Sequence, residues 1–365
     1  MSTLDQIDLR GLSQISAPEQ AFLSLYVSEP HALVSLTGRI NNARHLVVEN
    51  QDELEHFEQN RQLLLKYLED NPLHSGGLCV FVCWALDMLQ AHRLDLPLPD
   101  LLIVDSSPYI RPLARLHDEY EDFAVVVADN RSARVFLVST AQPEHESRIS
   151  GNIKNHVRKG GWSQQRYERR RDKQLQHYAR EIVQRLLDLD REEPYNRLLM
   201  VGSRETLAEI ERELPDQLDR KLAGSRALDL GRGEQYIEHE LFEMLAEDEQ
   251  REELDLWERI RGEYLRHGLA TVGAEDVLGA AKQGRVEQAL INSGCKIDGM
   301  RCRSCEELSA GLPEACPACG SDSLFEIDLV NEIVELLELS SARSEFADPI
   351  PGLAKLGDIA AMLRY

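Results

Sequence analysis

Two Cys-x-x-Cys pairs, Cys302-Arg-Ser-Cys305 and Cys316-Pro-Ala-Cys319, stand ten residues apart and constrain this chain more than any other feature. Each pair folds as a tight knuckle, and two knuckles present four thiolates at the corners of a tetrahedron, the arrangement a structural Zn2+ accepts. Four sulfurs fill the coordination shell, so such a zinc would hold structure and leave no open position for chemistry. The competing reading is a redox dithiol. The total of seven cysteines is odd, which favours ligation over a disulfide framework. Cys79 and Cys83 lie in an apolar run and read as core, and Cys295 as a bystander or spare ligand.

The 365 residues allow two or three domains. Strand-like runs at 21–27, 33–37, 78–83 and 101–104 surround a helical pattern at 52–69, and prolines cluster at 97–112. A second segment opens with strands at 123–128 and 134–139 joined by Asp129-Asn130-Arg131-Ser132. A polar loop over 142–159 precedes a long amphipathic helix with Tyr167, Leu175, Tyr178, Ile182, Leu186 and Leu189 on one face and Ser163 as N-cap. A strand at 197–201 and a helix at 205–213 follow. The third segment, from about residue 251, has helices at 274–283 and 329–339, extended runs at 286–291 and 360–365, and the cysteine-rich insert. Alternating strands and helices give an α/β class. The expected division is 1–115, 116–250 and 251–365, with the ribbon at 295–320. Residues 1–14 are polar and acidic without an apolar h-region, and the most apolar run, 78–89, is short of the ~20 residues a bilayer needs, so the expectation is a cytoplasmic chain with no membrane partner.

A formal charge of −23 argues against nucleic acid as a partner for the chain as a whole. One stretch departs from it: residues 148–185 hold eleven Lys/Arg and three Asp/Glu. At its head stands Lys154-Asn-His-Val-Arg158-Lys159-Gly160-Gly161-Trp162-Ser163-Gln164-Gln165-Arg166-Tyr167, continuing to Arg169-Arg170-Arg171 and Lys173. Two glycines permit close backbone approach to a partner. A helix N-terminus behind them adds free amides and a positive dipole end, and Trp162 could stack on an exposed base. The bland alternative is a solvated helix face behind an ordinary loop.

Lys159-Gly160-Gly161-Trp162-Ser163-Gln-Gln-Arg166-Tyr167 resembles the Gly-Gly-Gln loop of the archaeo-eukaryotic class-one peptide-chain release factors and Pelota, in which a Ser, two residues, Arg and an aromatic follow. The likeness extends along the chain. Residues 123–139 resemble the strands opening that superfamily's middle domain; Val272-Gly-Ala-Glu-Asp-Val-Leu278 and 284–291 resemble its third domain; 352–365 resembles its glycine-rich end. Some archaeal members carry a zinc insert like 302–319. The resemblance implies a three-domain release-factor-like α/β architecture with a zinc ribbon in the C-terminal domain, on a bacterial branch similar to the hibernation factor Balon. Two departures qualify it. Trp162 stands where the superfamily has the Gln that places water on the peptidyl-tRNA ester, and the first segment lacks Asn-Ile-Lys-Ser and Tyr-x-Cys-x-x-x-Phe, the elements tied to stop-codon reading.

Three functions follow as expectations. One is a ribosome A-site binder acting in hibernation or rescue, its loop toward the rRNA of the peptidyl-transferase centre. Another is a factor that hydrolyses peptidyl-tRNA, with Gly160, Gly161, Trp162, Gln164 and Gln165 as the loop that would carry the chemistry. The last is an RNA-binding or RNA-cleaving enzyme away from the ribosome. In each, Lys154, Arg158, Lys159, Arg166, Arg169, Arg170, Arg171 and Lys173 would meet RNA, and Cys302, Cys305, Cys316 and Cys319 would hold Zn2+. The resemblance further implies P-site tRNA and an elongation-factor-like GTPase as partners. A monomer is expected.

Overall fold

The computed structural model describes residues 4–17, 19–138, 145–150 and 162–365, with side chains left out at 5, 145–150 and 162–170. The chain is mixed α/β and divides into two compact units, Met1–Glu119 with Glu253–Tyr365, and Tyr120–Glu252.

The chain begins with α1 (Leu9–Ser13), β1 (Phe22–Val27), α2 (Leu36–Val47), α3 (Gln51–Asp70), β2 (Gly77–Cys83), β3 (Met88–Leu94), β4 (Leu101–Asp105) and α4 (Arg111–Glu119). The strands form an antiparallel sheet in the order β3-β2-β1-β4. β1 and β2 are buried along their whole length, the expected environment for continuous apolar runs, and Cys79 and Cys83 are core residues as expected. The run 33–37, expected as a strand, is instead a 3-10 turn (Pro30–Ser35) leading into α2. Ala32, Leu36, Ile40, Ala43 and Val47 are buried at helical spacing, while Val34 is 89% exposed. The short apolar run concealed a 3.6-residue period. β3 carries no such run and was not legible at all.

The second unit is built from β5 (Phe123–Ala128), β6 (Ser132–Val138), β7 (His145–Ser150), α5 (Trp162–Glu192), β8 (Arg197–Gly202), α6 (Arg204–Glu213), α7 (Asp216–Asp219), β9 (Leu222–Ala227) and the first part of α8 (Glu234–Leu265). Its five strands run β7-β6-β5-β8-β9, with the β5–β8 and β8–β9 pairings parallel and the β5–β6 and β6–β7 pairings antiparallel. Alternate residues of β5 face opposite cores. Ala124 and Val126 pack with Leu175, Tyr178, Ile182 and Leu186 of α5 and Ile210 of α6. Val125 and Val127 pack with Ile237, Leu241 and Met244 of α8. β7 lies within 142–159, expected as a loop; His-Glu-Ser-Arg-Ile-Ser has no apolar alternation, so only its backbone pairing with β6 identifies it. α5 starts at Trp162, which places Ser163 inside the helix instead of at its N-cap.

The chain returns to the first unit through the rest of α8, then β10 (Ala270–Val272), α9 (Ala274–Lys282), β11 (Val286–Asn292), β12 (Asp298–Cys302), β13 (Leu308–Ala310), β14 (Leu324–Asp328), α10 (Leu329–Leu339), β15 (Arg343–Ala347), α11 (Pro351–Ala354) and β16 (Ile359–Leu363). Two sheets result, β10-β16-β11-β15 and the small ribbon β13-β12-β14. Helix α10 joins this last segment to the first. Its Asn331 side chain, fully buried, accepts the amides of Ile110 (2.9 Å) and Arg111 (3.1 Å), so one segment caps helix α4 of the other. Asp328 accepts from the Tyr109 hydroxyl (2.7 Å) and from Arg111 (2.8 Å) while capping α10 itself. Among the described residues no helix is long and apolar enough to cross a membrane.

Candidate functional site

Helix α5 is 31 residues long, and its aliphatic stripe begins only at Leu175. At 1.5 Å per residue, Trp162 lies about 20 Å along the axis from that first core residue. In between, the sequence places Arg166, Arg169, Arg170, Arg171 and Lys173 against Glu168 and Asp172. The sequence of the first half of the helix is therefore rich in cations, while the described side chains from Leu175 to Leu189 anchor the second half in the sheet.

The described cations of α5 are not equivalent. Arg171 is 9% exposed and paired with Glu205 of α6. Arg180 pairs with Glu213 at 2.8 Å, Arg185 with Glu192 and Arg191 with Asp188. Lys173 is exposed and has no acidic partner among the described residues; it lines a groove of about 700 Å³ between α5 and α6 in which Arg204 and Arg212 alternate with Asp172, Glu205 and Glu209. Lys154, Arg158, Lys159, Gly160 and Gly161 lie outside the described residues, and Trp162, Gln164, Gln165, Arg166, Arg169 and Arg170 are described as helical backbone only. The acids that hold α5 to α6, Glu205 and Glu213, escaped the sequence reading; their i,i+8 spacing on a surface helix was the available signal.

The four cysteines of the ribbon do converge. Their sulfurs all lie within 4.8 Å of one another, with Cys302–Cys319 and Cys305–Cys316 at 3.6 Å. A tetrahedron with metal–sulfur bonds of about 2.3 Å has edges of about 3.8 Å, so the spacing fits one ion. Each knuckle closes on a residue with positive φ, Glu306 (61°) after the first and Gly320 (76°) after the second. The amides of Glu306 and Gly320 donate to the carbonyls of Cys302 and Cys316, and the Ser304 amide points at the Cys302 sulfur at 3.4 Å. Desolvation resists ionisation of Cys302, but the Ser304 and Cys305 amides and the neighbouring thiols prevail and bring it down to about 6. Against the pull of the Glu307 amide, the hydrogen bonds that the Cys305 thiol donates to Cys319, Cys316 and Cys302, with burial, push Cys305 up to about 12. The cluster thus shares protons among its sulfurs, and a divalent cation is the charge that would let all four ionise together. Cys295 is set apart, its carbonyl and sulfur facing Arg111.

Residues 108–250 match the model of bacterial archaeo-eukaryotic release factor family 10. Peptide chain release factor subunit 1 of Archaeoglobus fulgidus is 27% identical over 285 residues, covering 72% of this chain and 70% of the relative. The corresponding protein of Methanocaldococcus jannaschii is 24% identical over 352 residues, 86% and 83% of the two chains. The chain is thus similar to proteins of the release factor/Pelota superfamily, and the family whose model matches its middle is a bacterial one. Among solved structures, the translation termination-like factor Dom34 of S. cerevisiae is 13% identical, with a TM-score of 0.43 over 82% of this chain and 76% of its own. The family match covers the β5–β9 sheet and helix α5.

Proposed function

We propose that this chain is a translation factor that occupies the vacant A site of the ribosome, in hibernation or rescue, and does not hydrolyse peptidyl-tRNA. The observation that carries the reading is Trp162, standing in a superfamily loop whose Gln would place the attacking water. A backbone amide survives at position 162 and can still donate to an oxyanion, but an indole cannot orient water as a carboxamide does. Its flat apolar face is suited to stacking on an rRNA base or the tRNA end. The cations of the loop and of the first turns of α5 supply the phosphate contacts, with the helix N-terminal dipole adding to their field. The first segment lacks the motifs of codon reading, which agrees with a factor indifferent to the codon. Within this reading the compartment is the cytoplasm, P-site tRNA is a neighbour of the loop, and an elongation-factor-like GTPase is the delivery partner.

The test uses ribosomes carrying peptidyl-tRNA in the P site and an empty A site, with co-sedimentation and peptide release followed together. Binding without release is the expected result. Release at rates well above background would establish the hydrolytic alternative and point to Gln164 or Gln165 as the surrogate for the missing Gln. No binding to any ribosome state would leave the off-ribosome RNA reading.

The same proposal assigns Zn2+ to Cys302, Cys305, Cys316 and Cys319, as a structural ion. Elemental analysis is expected to give one zinc per chain in the wild type and a loss of most of it in Cys302→Ser, with the Tyr120–Glu252 unit unaffected. A wild type free of zinc after metal-replete expression would refute the assignment.

A further inference from the structure

We propose that the cysteine ribbon is a metal-dependent lock between the first and last segments of the chain, with Arg303 as its bolt; this rests on the zinc assignment above. Arg303 lies inside the first knuckle, between two of the four sulfur ligands. Its amide donates to the Ser323 carbonyl at 3.0 Å, which ties the knuckle to the residue preceding β14. Its side chain leaves the ribbon in a fixed direction. One terminal nitrogen donates to the Leu324 carbonyl at 2.9 Å, the guanidinium lies 4.8 Å from the centre of the Phe325 ring, and the other nitrogen bonds the carboxylate of Glu53.

Glu53 is in the first turn of α3, 250 residues earlier in the chain, and is 2% exposed. Arg303 is its ion-pair partner. A buried carboxylate is tolerated only while its countercharge is held in place, and removing that partner alone is far more disruptive than replacing both. The position of Arg303 is in turn set by the knuckle. β12, β13 and β14 have only five, three and five residues, too little apolar burial to keep the two loops folded without a central ion.

The other end of β14 is secured differently. Asp328 is tied to Tyr109, Arg111 and the start of α10, all independent of the four clustered cysteines. The last segment meets the first at several further places, including Asn331 with Ile110, Glu335 with Ser107 and Asp118 with Phe346. Among the described side-chain contacts between the two, the Arg303–Glu53 pair is the one that starts inside a cysteine knuckle. Between the Arg303 and Asp328 ends lies a cleft of about 1200 Å³, lined by Glu53, Ile103, Tyr109, Arg303, Phe325 and Asp328 among others. Losing the ion frees the Arg303 end, leaves Glu53 without its countercharge, and opens the cleft and the first turn of α3 to water, while the Asp328 end stays shut.

Hydrogen–deuterium exchange of the full chain tests this, comparing zinc-loaded protein, protein stripped with a zinc chelator, and zinc-loaded Arg303→Met. Stripping is expected to speed exchange at least tenfold over residues 50–60 as well as 298–328, and to leave 123–138 and 175–189 unchanged. Arg303→Met, with one zinc per chain by elemental analysis, should accelerate 50–60 while sparing most of the ribbon. If Arg303→Met does not fold, Glu53→Gln is the second variant, and it should blunt the difference between loaded and stripped protein at 50–60. Equal exchange at 50–60 in loaded and stripped wild type overturns the lock, as does an undiminished difference in Glu53→Gln. A wild type without zinc would remove the metal assignment and the lock together, whereas zinc present with no change at 50–60 would remove the lock alone.

Discussion

Charge reversal at Arg169 and Arg170 together is expected to weaken ribosome binding by about 100-fold near 0.1 M salt and to lower the slope of log affinity against log salt by about 1.5, because two phosphate contacts vanish. Arg171 is left in place deliberately. It is buried and paired with Glu205, so its reversal would put two carboxylates face to face between α5 and α6 and confound folding with binding. Lys173→Glu provides a graded comparison, since this exposed lysine has no acidic partner among the described residues. Co-sedimentation at several salt concentrations reads out both quantities. Unchanged affinity in the Arg169/Arg170 double variant, with unchanged circular dichroism, would take the helix out of the proposed interface.

The second large effect concerns the stability of the unit formed by the two ends of the chain. Asp105, Glu332 and Glu335 are buried together with Ser106, Ser107 and Asn331, and the guanidinium among them is Arg301, bonded to Glu332. Burial, reinforced by Glu332, pushes Asp105 up to about 7; burial and the same neighbour raise Glu335 as well. The folded chain therefore keeps a proton between about pH 4 and pH 7 that the unfolded chain has lost. Stability must fall as pH rises through that window, by about 1.4 kcal/mol per pH unit for one such group, and level off above it. Glu58, lowered by its hydrogen bond from Arg44, and Asp100, lowered by the Ser28 amide against its own desolvation, act oppositely, losing stability as pH falls toward 4. Asp105→Asn is expected to flatten the decline and to stabilise the protein at pH 7.5 by about 2 kcal/mol or more. Arg301→Met, which strands Glu332 beside two other acids, should cost about 3–5 kcal/mol. Urea titrations at pH 5 and 7.5, followed by the fluorescence of buried Trp257, distinguish these outcomes. A pH-independent wild type would show that the cluster is hydrated or otherwise neutralised.

Legibility in the sequence followed local physics. The strand at 78–83 and the helix at 329–339 could be read because their apolar residues run continuously or recur at one period, and both match their elements, Gly77–Cys83 and Leu329–Leu339, to within a residue. The cysteine cluster was legible because ligand spacing is a short-range property. Helix α8 was not. It turns Ile237, Leu241 and Met244 to one core and Leu256, Trp257 and Ile260 to another, so no single apolar stripe runs along its 32 residues. The joints between the ends of the chain were also invisible. Glu53–Arg303 and Asn331–Ile110 connect residues more than 200 positions apart, and nothing in either neighbourhood marks them as partners. For the α5 cations, the sequence disclosed their number; which of them are consumed by Glu205 and Glu213 depends on the packing of α6.

The two helices flanking the β5–β9 sheet give the second unit a further physical property. On one face, α5 carries six cations and two acids between Trp162 and Arg180. On the other, α8 carries eight acids and one cation between Glu234 and Glu252. Part of this charge is neutralised locally, Arg171 and Arg180 by Glu205 and Glu213 of α6 and Glu240, Glu247, Glu249 and Glu252 by Arg226 and Arg197, and what remains leaves the α5 side of the sheet the less acidic of the two. In the field of a polyanion such a body feels a torque before it feels a contact, and turns its α5 face forward while still diffusing. A wrong-way encounter would bring α8 against phosphate and be rejected within a Debye length, about 10 Å at 0.1 M salt. The acidity of the chain as a whole then acts as a rudder, sacrificing non-specific affinity for a single productive approach.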